Sequence, residues 1–389
     1  MEDIMEIREE KPKTLALSIL SLSLLTVMAA AAVAPAMGTI KAFFSDASPL
    51  LTQMVISTPA LFIVITNLIF PHLCKRMGSK TLVLSALLLY TIGGCLPGLC
   101  SHIVPLLCLR ALVGIAVGIL MPLATGLLAY HFPPSRMEKL MGYSSAFNCL
   151  GGIIAVLIAG FLSNISWRAS FLVYLMGLIG IVLCLLFLPN DRIRSQESSF
   201  SLDSFKKYYR YVVAVFLLMV IFFVYPTCFA VETLSDGIIP QNAVTLIMSA
   251  MNVVGLLTGL SFGRIKGFFG NKVRLIPPTA MFIAYFLLGF VGGWVGTIVG
   301  TIFVGIGLNT GMPFIISSVS KKAGRSAAAT ALPMVSAFLY SAQFLSPFII
   351  SGMGKLMSGI SLDHPPFVFA WVVSIILWVW LFFLKEKDA

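Results

Sequence analysis

Long apolar stretches recur along the whole chain, and no other feature of the sequence restricts the fold as strongly. A helix needs roughly 20 apolar residues to cross the hydrocarbon core of a bilayer. The sequence therefore predicts twelve transmembrane helices, which fill most of the 389 residues. Their predicted bounds are 14–37, 50–71, 80–100, 104–130, 137–163, 168–189, 211–231, 243–262, 274–293, 295–319, 326–353 and 366–384.

The composition agrees with an all-α membrane protein and excludes a soluble one. Charged residues make up 11% of the chain, whereas soluble domains carry about 25%. The net charge of +11 resembles that of a nucleic-acid-binding protein, but its distribution indicates otherwise. With a cytoplasmic N-terminus, 22 of the 26 Lys and Arg residues fall on the cytoplasmic side. The positive-inside rule therefore predicts cytoplasmic termini in the cell (inner) membrane and no nucleic-acid partner.

An internal repeat divides the chain into two halves. Short sequence matches recur in the same order at an offset of 191 or 192 residues, which indicates two six-helix bundles in the same orientation. The matches are Val113-Gly-Ile with Val304-Gly-Ile, Met121-Pro122 with Met312-Pro313, Ser145-Ala-Phe147 with Ser336-Ala-Phe338, and the basic loops around Gly78 and Gly270.

The repeat and the polar segments together predict the domain organisation. The longest polar stretch lies between the sixth and seventh predicted helices and links the two bundles. The predicted segments are an N-terminal cytoplasmic tail at 1–13, a first bundle at 14–189, a linker at 190–210, a second bundle at 211–385 and a C-terminal tail at 386–389.

The loops after the second and eighth predicted helices carry a family motif. Six plus six helices with basic, glycine-containing loops at these places resemble the major facilitator superfamily over essentially the whole chain. The family motif Gly-x-Leu-x-Asp-Arg-x-Gly-Arg-Lys is matched in part, since Pro71 and Lys75 replace its first glycine and its aspartate. The resemblance implies that these loops gate the conformational change, through Lys75, Arg76, Gly78, Lys80, Gly263 and Gly270.

The fourth predicted helix also resembles the family. Arg110 and Gly114 match an Arg-x-x-x-Gly motif found mostly in proton-linked members. The likeness to the drug-efflux branch and to the cyanate and nitroimidazole branch is looser. The resemblance implies a secondary transporter that works by alternating access, with a proton as the default coupling ion.

Arg110 is the only clear charge inside a predicted span. Charges within the membrane are costly and usually mark function. Two interpretations remain open: a packing arginine that bonds backbone carbonyls of neighbouring helices, or a cavity charge that binds an anionic group of the substrate. Gly114 and Gly118 lie on the same helical stripe as Arg110, which predicts close packing of this face against another helix.

Polar side chains in the middle of other spans are the next candidates for substrate contact. Each amide needs a partner in a dry environment, from the substrate or from another helix. Tyr225 joins them, because it lies beside Pro226, which is predicted to break the seventh helix. The predicted substrate-binding residues are Arg110, Asn148, Tyr225, Asn252, Asn309 and Gln343.

Two residues are candidates for carrying a coupled proton. Glu232 lies at the outer end of the seventh predicted helix, and His131 lies near the inner end of the fourth. No nucleophile–base pair and no metal-ligand spacing is evident, so we expect no catalytic residue, no metal and no cofactor.

The sequence thus predicts a membrane transporter and not an enzyme. We expect alternating-access transport of a small organic solute, anionic or amphipathic, coupled to H⁺, with export favoured over import and a monomer in the lipid bilayer. One alternative is a uniporter or exchanger of an organic anion bound by Arg110. An alternative of another class is a membrane sensor or assembly partner that transports nothing.

Overall fold

The computed structural model describes residues 13–191, 202–235, 237, 239–356 and 363–383, and all regular structure in these ranges is helical. Both predicted tails, apart from Lys13, and residues 192–201 of the predicted linker lie outside them. The α-helices are α1 Lys13–Ala31, α2 Met37–Phe43, α3 Pro49–Arg76, α4 Ser79–Cys95, α5 Ile103–His131, α6 Pro134–Ser163, α7 Trp167–Ser170, α8 Met176–Phe187, α9 Leu202–Ser235, α10 Gln241–Phe269, α11 Ile276–Phe286, α12 Gly293–Leu356 and α13 Pro365–Phe382.

The described residues contain eleven helical segments that are long and apolar enough to cross a membrane. One of them, Gln241–Val291, has 51 residues, or about 75 Å at 1.5 Å per residue, more than twice the hydrocarbon thickness. Gly270 ends α10 within this segment at φ +51°, a conformation that glycine adopts without strain. The segment is therefore long enough for two crossings, so the described residues hold about the predicted number of spans.

The predicted break between the tenth and eleventh helices is wrong. The backbone is helical from Gly293 to Leu356, a range that holds the spans Gly293–Lys322 and Met334–Met353. The sequence between these spans is rich in alanine and has no proline before Pro333. Alanine has the highest helix propensity, so a polar, basic composition does not by itself end a helix here.

Backbone contacts divide the chain into two units. The first combines Met1–Ala36 with Thr58–Glu197, and the second combines Met37–Ser57 with Ser198–Ala389. The bundle bounds predicted from the repeat, 14–189 and 211–385, stay a proposal. In the first unit α1 packs on α5, α6 and α8, and α4 packs on α5 and α8. In the second unit α9 packs on α2, α12 and α13, and α11 packs on α12 and α13.

The predicted close packing of the Arg110 stripe is confirmed. A Cβ at Gly114 would collide with the carbonyl oxygen of Pro59 and lie 2.8 Å from Cβ of Phe62. A Cβ at Gly118 would lie 2.7 Å from Cβ of Thr66. The missing side chains let α5 approach the backbone of α3, as small residues do in membrane helix pairs.

The predicted break at Pro226 is wrong, because α9 continues through it to Ser235. Proline removes one backbone donor and loosens the preceding turn of a helix. In this turn the hydroxyl of Thr227 donates to the carbonyl of Phe223 over 2.5 Å. The donor that Pro226 lacks would have bonded the carbonyl of Phe222, four residues earlier, so the helix continues through the proline without that backbone bond.

Candidate functional site

Arg110 lies completely buried within the first unit, at 0% exposure. Its Nη1 donates to Tyr174 Oη over 2.6 Å, and its Nη2 donates to the carbonyl of Ala29 over 2.6 Å. The hydroxyl of Tyr174 donates to the same carbonyl over 2.8 Å. These bonds join α5 to α1 and to the turn before α8, as the packing interpretation expects. Substrate contact by Arg110 stays a prediction.

The second unit makes a matching contact at the repeated position. Thr301 stands 191 residues after Arg110, and its hydroxyl lies 2.9 Å from Oη of Tyr225. Tyr225 is fully buried and stacks on Phe229, with ring centroids 4.3 Å apart. The first and fourth spans of each half are thus joined by a polar contact, but only the first half uses a charge.

Asn148 is the least satisfied of the predicted substrate-binding residues. Its Oδ1 is buried and has no hydrogen-bond partner within the described part of the chain. The α6 face around it contacts α1, since Ser144 Oγ lies 2.8 Å from Ser23 Oγ and Gly151 packs against the backbone of Leu24. A buried amide oxygen without a donor costs about 1–3 kcal/mol, so a donor from a solute or water would be stabilised there.

The three predicted amides of the second unit differ in their surroundings. Asn252 donates to the carbonyl of Met248 in its own turn over 3.2 Å, and Asn309 donates to Gly305 over 3.0 Å. A Cβ at Gly255, one turn after Asn252, would collide with the Asn309 amide. The structure therefore brings Asn252 and Asn309 to one α10–α12 contact. Gln343 is buried in the second span of α12, at 4% exposure.

Glu232 has a basic partner that the sequence analysis missed. Nδ1 of His364 lies 3.2 Å from Oε2 of Glu232, and both side chains are mostly buried. His364 precedes α13 and accepts the backbone N–H groups of Phe367 and Val368 through its carbonyl. Its imidazole is thus held at the start of a helix, opposite the third residue before the end of α9.

Two further polar groups lie next to this pair, and we call the four residues Gln53, Cys228, Glu232 and His364 the Glu232 cluster. Nε2 of Gln53 donates to Sγ of Cys228 over 3.4 Å, while its Oε1 is buried without a partner among the described residues. Cys228 precedes Glu232 by four residues, so both lie on one face of α9. The second unit therefore gathers a carboxylate, an imidazole, an amide and a thiol near the end of α9.

His131, the other predicted proton carrier, faces an acid at the end of the first unit. Its Nε2 lies 3.5 Å from Oδ2 of Asp191, and the histidine is buried. The backbone N–H of Ser79 donates to the carbonyl of Asp191 over 2.8 Å, and that of Asp191 donates to Ser79 Oγ over 3.2 Å. Asp191 thus ties the end of α5 to the predicted gating loop.

The predicted gating residues lie in two different environments. A Cβ at Gly78 would collide with the side chain of Asn190, and Lys80 Nζ donates to the carbonyl of Leu185 over 2.7 Å. Lys75 and Arg76 are exposed at the end of α3. Open space surrounds Gly263 and Gly270. The loop of the first unit is therefore packed against the end of α8. The role of all six residues in gating stays a prediction.

The sequence carries a signal for His364 but none for its contact with Glu232. The chain has only four histidines, and His364 directly precedes Pro365 and Pro366, which mark the start of a helix. It was missed because it lies outside the predicted spans. Its proximity to Glu232, 132 residues away, depends on how α9 and α13 pack, which no local pattern reveals.

Comparisons with known proteins give partial matches among curated transporters. The chain is 26% identical over 152 residues to the Riboflavin transporter RibZ of Clostridioides difficile (strain 630), and these cover 39% of this chain and 33% of that protein. It is 29% identical over 130 residues to the Quinolone resistance protein NorA of Staphylococcus aureus (strain Mu50 / ATCC 700699), covering 33% of each. The chain thus matches about a third of the length of these relatives.

A comparison with solved structures covers nearly the whole chain. The crystal structure of a D-xylose-proton symporter aligns over 98% of both chains with a TM-score of 0.76 and 15% sequence identity, a likeness that concerns the fold alone. The family model described as Major Facilitator Superfamily matches residues 19–347. The chain is therefore a multi-pass membrane protein that belongs to the major facilitator superfamily of transporters.

Proposed function

We propose that this chain is a secondary transporter that moves a small organic solute by alternating access in exchange for protons, with export as its direction. The observation that carries the proposal is the contact between Glu232 and His364 at 3.2 Å. We assign the coupled proton to this pair.

A carboxylate and an imidazole in contact, largely shielded from water, are suited to hold and release one proton. A bare charge is costly in a membrane span, so each group is stabilised by the other or by a proton. Histidine changes its charge between about pH 5 and 8. A proton on the imidazole makes the contact an ion pair, and its release leaves a neutral imidazole beside the carboxylate, which weakens the contact between α9 and the start of α13.

The wider cluster links that contact to α3. Gln53 on α3 donates to Cys228, which lies one turn before Glu232 on α9. A change in the charge of the pair therefore acts beside the contact between α3 and α9. This is the kind of local electrostatic change that biases a two-state element.

The names of the relatives suggest the first candidate solutes. One is named for riboflavin transport and another for quinolone resistance, and both kinds of compound are planar and aromatic. Export agrees with the relative named for resistance. We further propose that the protein works as a monomer in the cell (inner) membrane with both termini in the cytoplasm, as its basic loops favour.

The proposal is tested in proteoliposomes that hold a pH-sensitive dye. Gradients of riboflavin, of a quinolone and of a wider panel of aromatic solutes are imposed, and the internal pH is followed. We expect at least one solute to change the internal pH in vesicles with the natural chain. Glu232→Gln should abolish that change, whereas Asp46→Asn, which alters an exposed acid of the same unit, should leave it intact.

Two other outcomes would contradict proton coupling, and each favours one alternative. Solute flux without any change in internal pH would favour a uniporter or exchanger of an organic anion. Flux that never exceeds that of empty vesicles would favour a membrane sensor or assembly partner that transports nothing.

A further inference from the structure

A cavity of about 590 Å³ lies within the first unit, between the N-terminal parts of α1 and α6. Its volume falls within the range of sites for drug-sized ligands, about 300–1,000 Å³. The contact between Ser23 and Ser144 joins α1 and α6 beside it. The lining residues are Lys13, Ala16, Leu17, Leu20, Phe132, Arg136, Leu140, Tyr143 and Phe147.

The lining separates into an apolar floor and a basic, aromatic rim. Leu20, Phe132 and Leu140 are buried and form the floor, whereas Tyr143 is 46% exposed at the rim. Phe147 follows Tyr143 by four residues, so both rings lie on one stripe of α6. An aromatic ring placed against this stripe would be stabilised by offset or edge-to-face stacking.

Two cations complete the rim. Lys13 and Arg136 both line the cavity, and none of the described lining residues is acidic. Arg136 also lies in the first turn of α6, which begins at Pro134. The N-terminal end of a helix carries a partial positive charge and favours anions within its first turn. An anionic group at this end therefore meets two positive side chains and the positive end of the α6 helix dipole.

We propose that this cavity binds a planar aromatic carboxylate, with its ring against Tyr143 and Phe147 and its carboxylate between Lys13 and Arg136. The inference rests on the proposed transport function and names the solute class for it. The combination of a guanidinium, an ammonium group and an aromatic stripe over an apolar floor fits such a molecule better than a neutral solute. A two-chain phospholipid would exceed the volume of the cavity.

The binding experiment uses 2-naphthoate as the probe and 2-naphthamide as its neutral counterpart, on the purified full chain in neutral detergent. Equilibrium dissociation constants are measured by the fluorescence of the naphthalene ring. We expect the acid to bind at least about tenfold more tightly than the amide, because only the carboxylate forms charge-assisted hydrogen bonds with both cations.

Substitutions of lining residues test whether the probes bind in this cavity. Arg136→Gln and Lys13→Gln should each weaken naphthoate binding about tenfold, and Tyr143→Leu should weaken both probes. Lys321→Gln, at an exposed cation on α12, is the control and should bind as the natural chain does. Since Lys13 and Arg136 are exposed, we expect these variants to fold, and an unchanged melting temperature checks this.

Three results would overturn the proposal. They are equal affinity for the acid and the amide, unaltered naphthoate binding in Arg136→Gln and Lys13→Gln, and competitive loss of naphthoate binding in nanodiscs of phosphatidylglycerol but not of phosphatidylcholine. The last would assign the cavity to an anionic lipid. The measurement uses no proton gradient, so its failure leaves proton coupling intact, and a failure of coupling leaves naphthoate binding intact.

Discussion

At the scale of single residues, the buried charge of Arg110 is stabilised by hydrogen bonds to groups of neighbouring helices. Its guanidinium donates to a backbone carbonyl and to a tyrosine hydroxyl that bonds the same carbonyl. The guanidinium carbon also lies 5.6 Å from the centroid of the Tyr174 ring. The arginine therefore holds α1, α5 and the turn before α8 together.

Replacing Arg110 tests this role. In Arg110→Gln the Ala29 carbonyl and the Tyr174 hydroxyl each lose a charged donor, so we expect the free energy of unfolding to fall by about 1.5–3 kcal/mol. Unfolding by SDS in mixed micelles measures it. Arg76→Gln is the control, since Arg76 is exposed, and should change the value by less than about 0.5 kcal/mol. Equal stabilities of the two variants would contradict the packing role.

The candidate residues differ in how far the sequence could specify them. Arg110 and Asn148 could be identified because a polar side chain inside an apolar span is costly in free energy, and Glu232 because it lies at the end of such a span. Their partners could not, because Tyr174 and His364 reach Arg110 and Glu232 from distant positions in the chain. The cavity rim was missed for a similar reason. Lys13 and Arg136 belong to basic segments that orientation in the membrane already explains.

At the scale of helices, the glycine stripe of α5 sets how closely that helix approaches α3. Gly114→Ala would place a methyl group against the Pro59 backbone and the Phe62 side chain. Overpacking of this kind costs about 1–3 kcal/mol, so we expect a loss of stability of that size in SDS unfolding.

Gly126 provides a matched control in the same helix. Nothing lies within 4 Å of a Cβ built there, so Gly126→Ala gains only helix propensity and should stabilise the protein by up to about 1 kcal/mol. The packing argument would fail if both alanine variants changed stability by the same amount and sign.

Helix bounds could be predicted where the length of an apolar stretch sets them. They could not be predicted where a proline or a basic segment was expected to end a helix. The apolar stretches predicted the approximate number and places of the spans, because the bilayer sets the length of a span. Pro226 and the basic segment after Lys322 were expected to interrupt helices, yet α9 and α12 continue through them. Membrane helices tolerate a single proline, and the alanines after Lys322 favour a continuous helix.

At the scale of the whole molecule, the two halves share one fold but carry different side chains at equivalent positions. The fourth span of each half bonds its first span, through Arg110 in one half and Thr301 in the other. The aromatic carboxylate is proposed to bind in the first unit and the proton at the Glu232 cluster in the second. The duplication could be predicted from sequence matches at a constant offset, whereas this division of roles depends on residues that are not repeated.

The measurement that tests proton coupling most directly separates solute exchange from solute accumulation. Proteoliposomes take up the radiolabelled solute that shows the largest flux in the panel, first at equal solute concentration on both sides and then under an imposed pH gradient. We predict that Glu232→Gln keeps exchange, which needs no net proton movement, and loses gradient-driven accumulation. If Glu232→Gln accumulates the solute to the level of the natural chain, Glu232 does not carry the coupled proton.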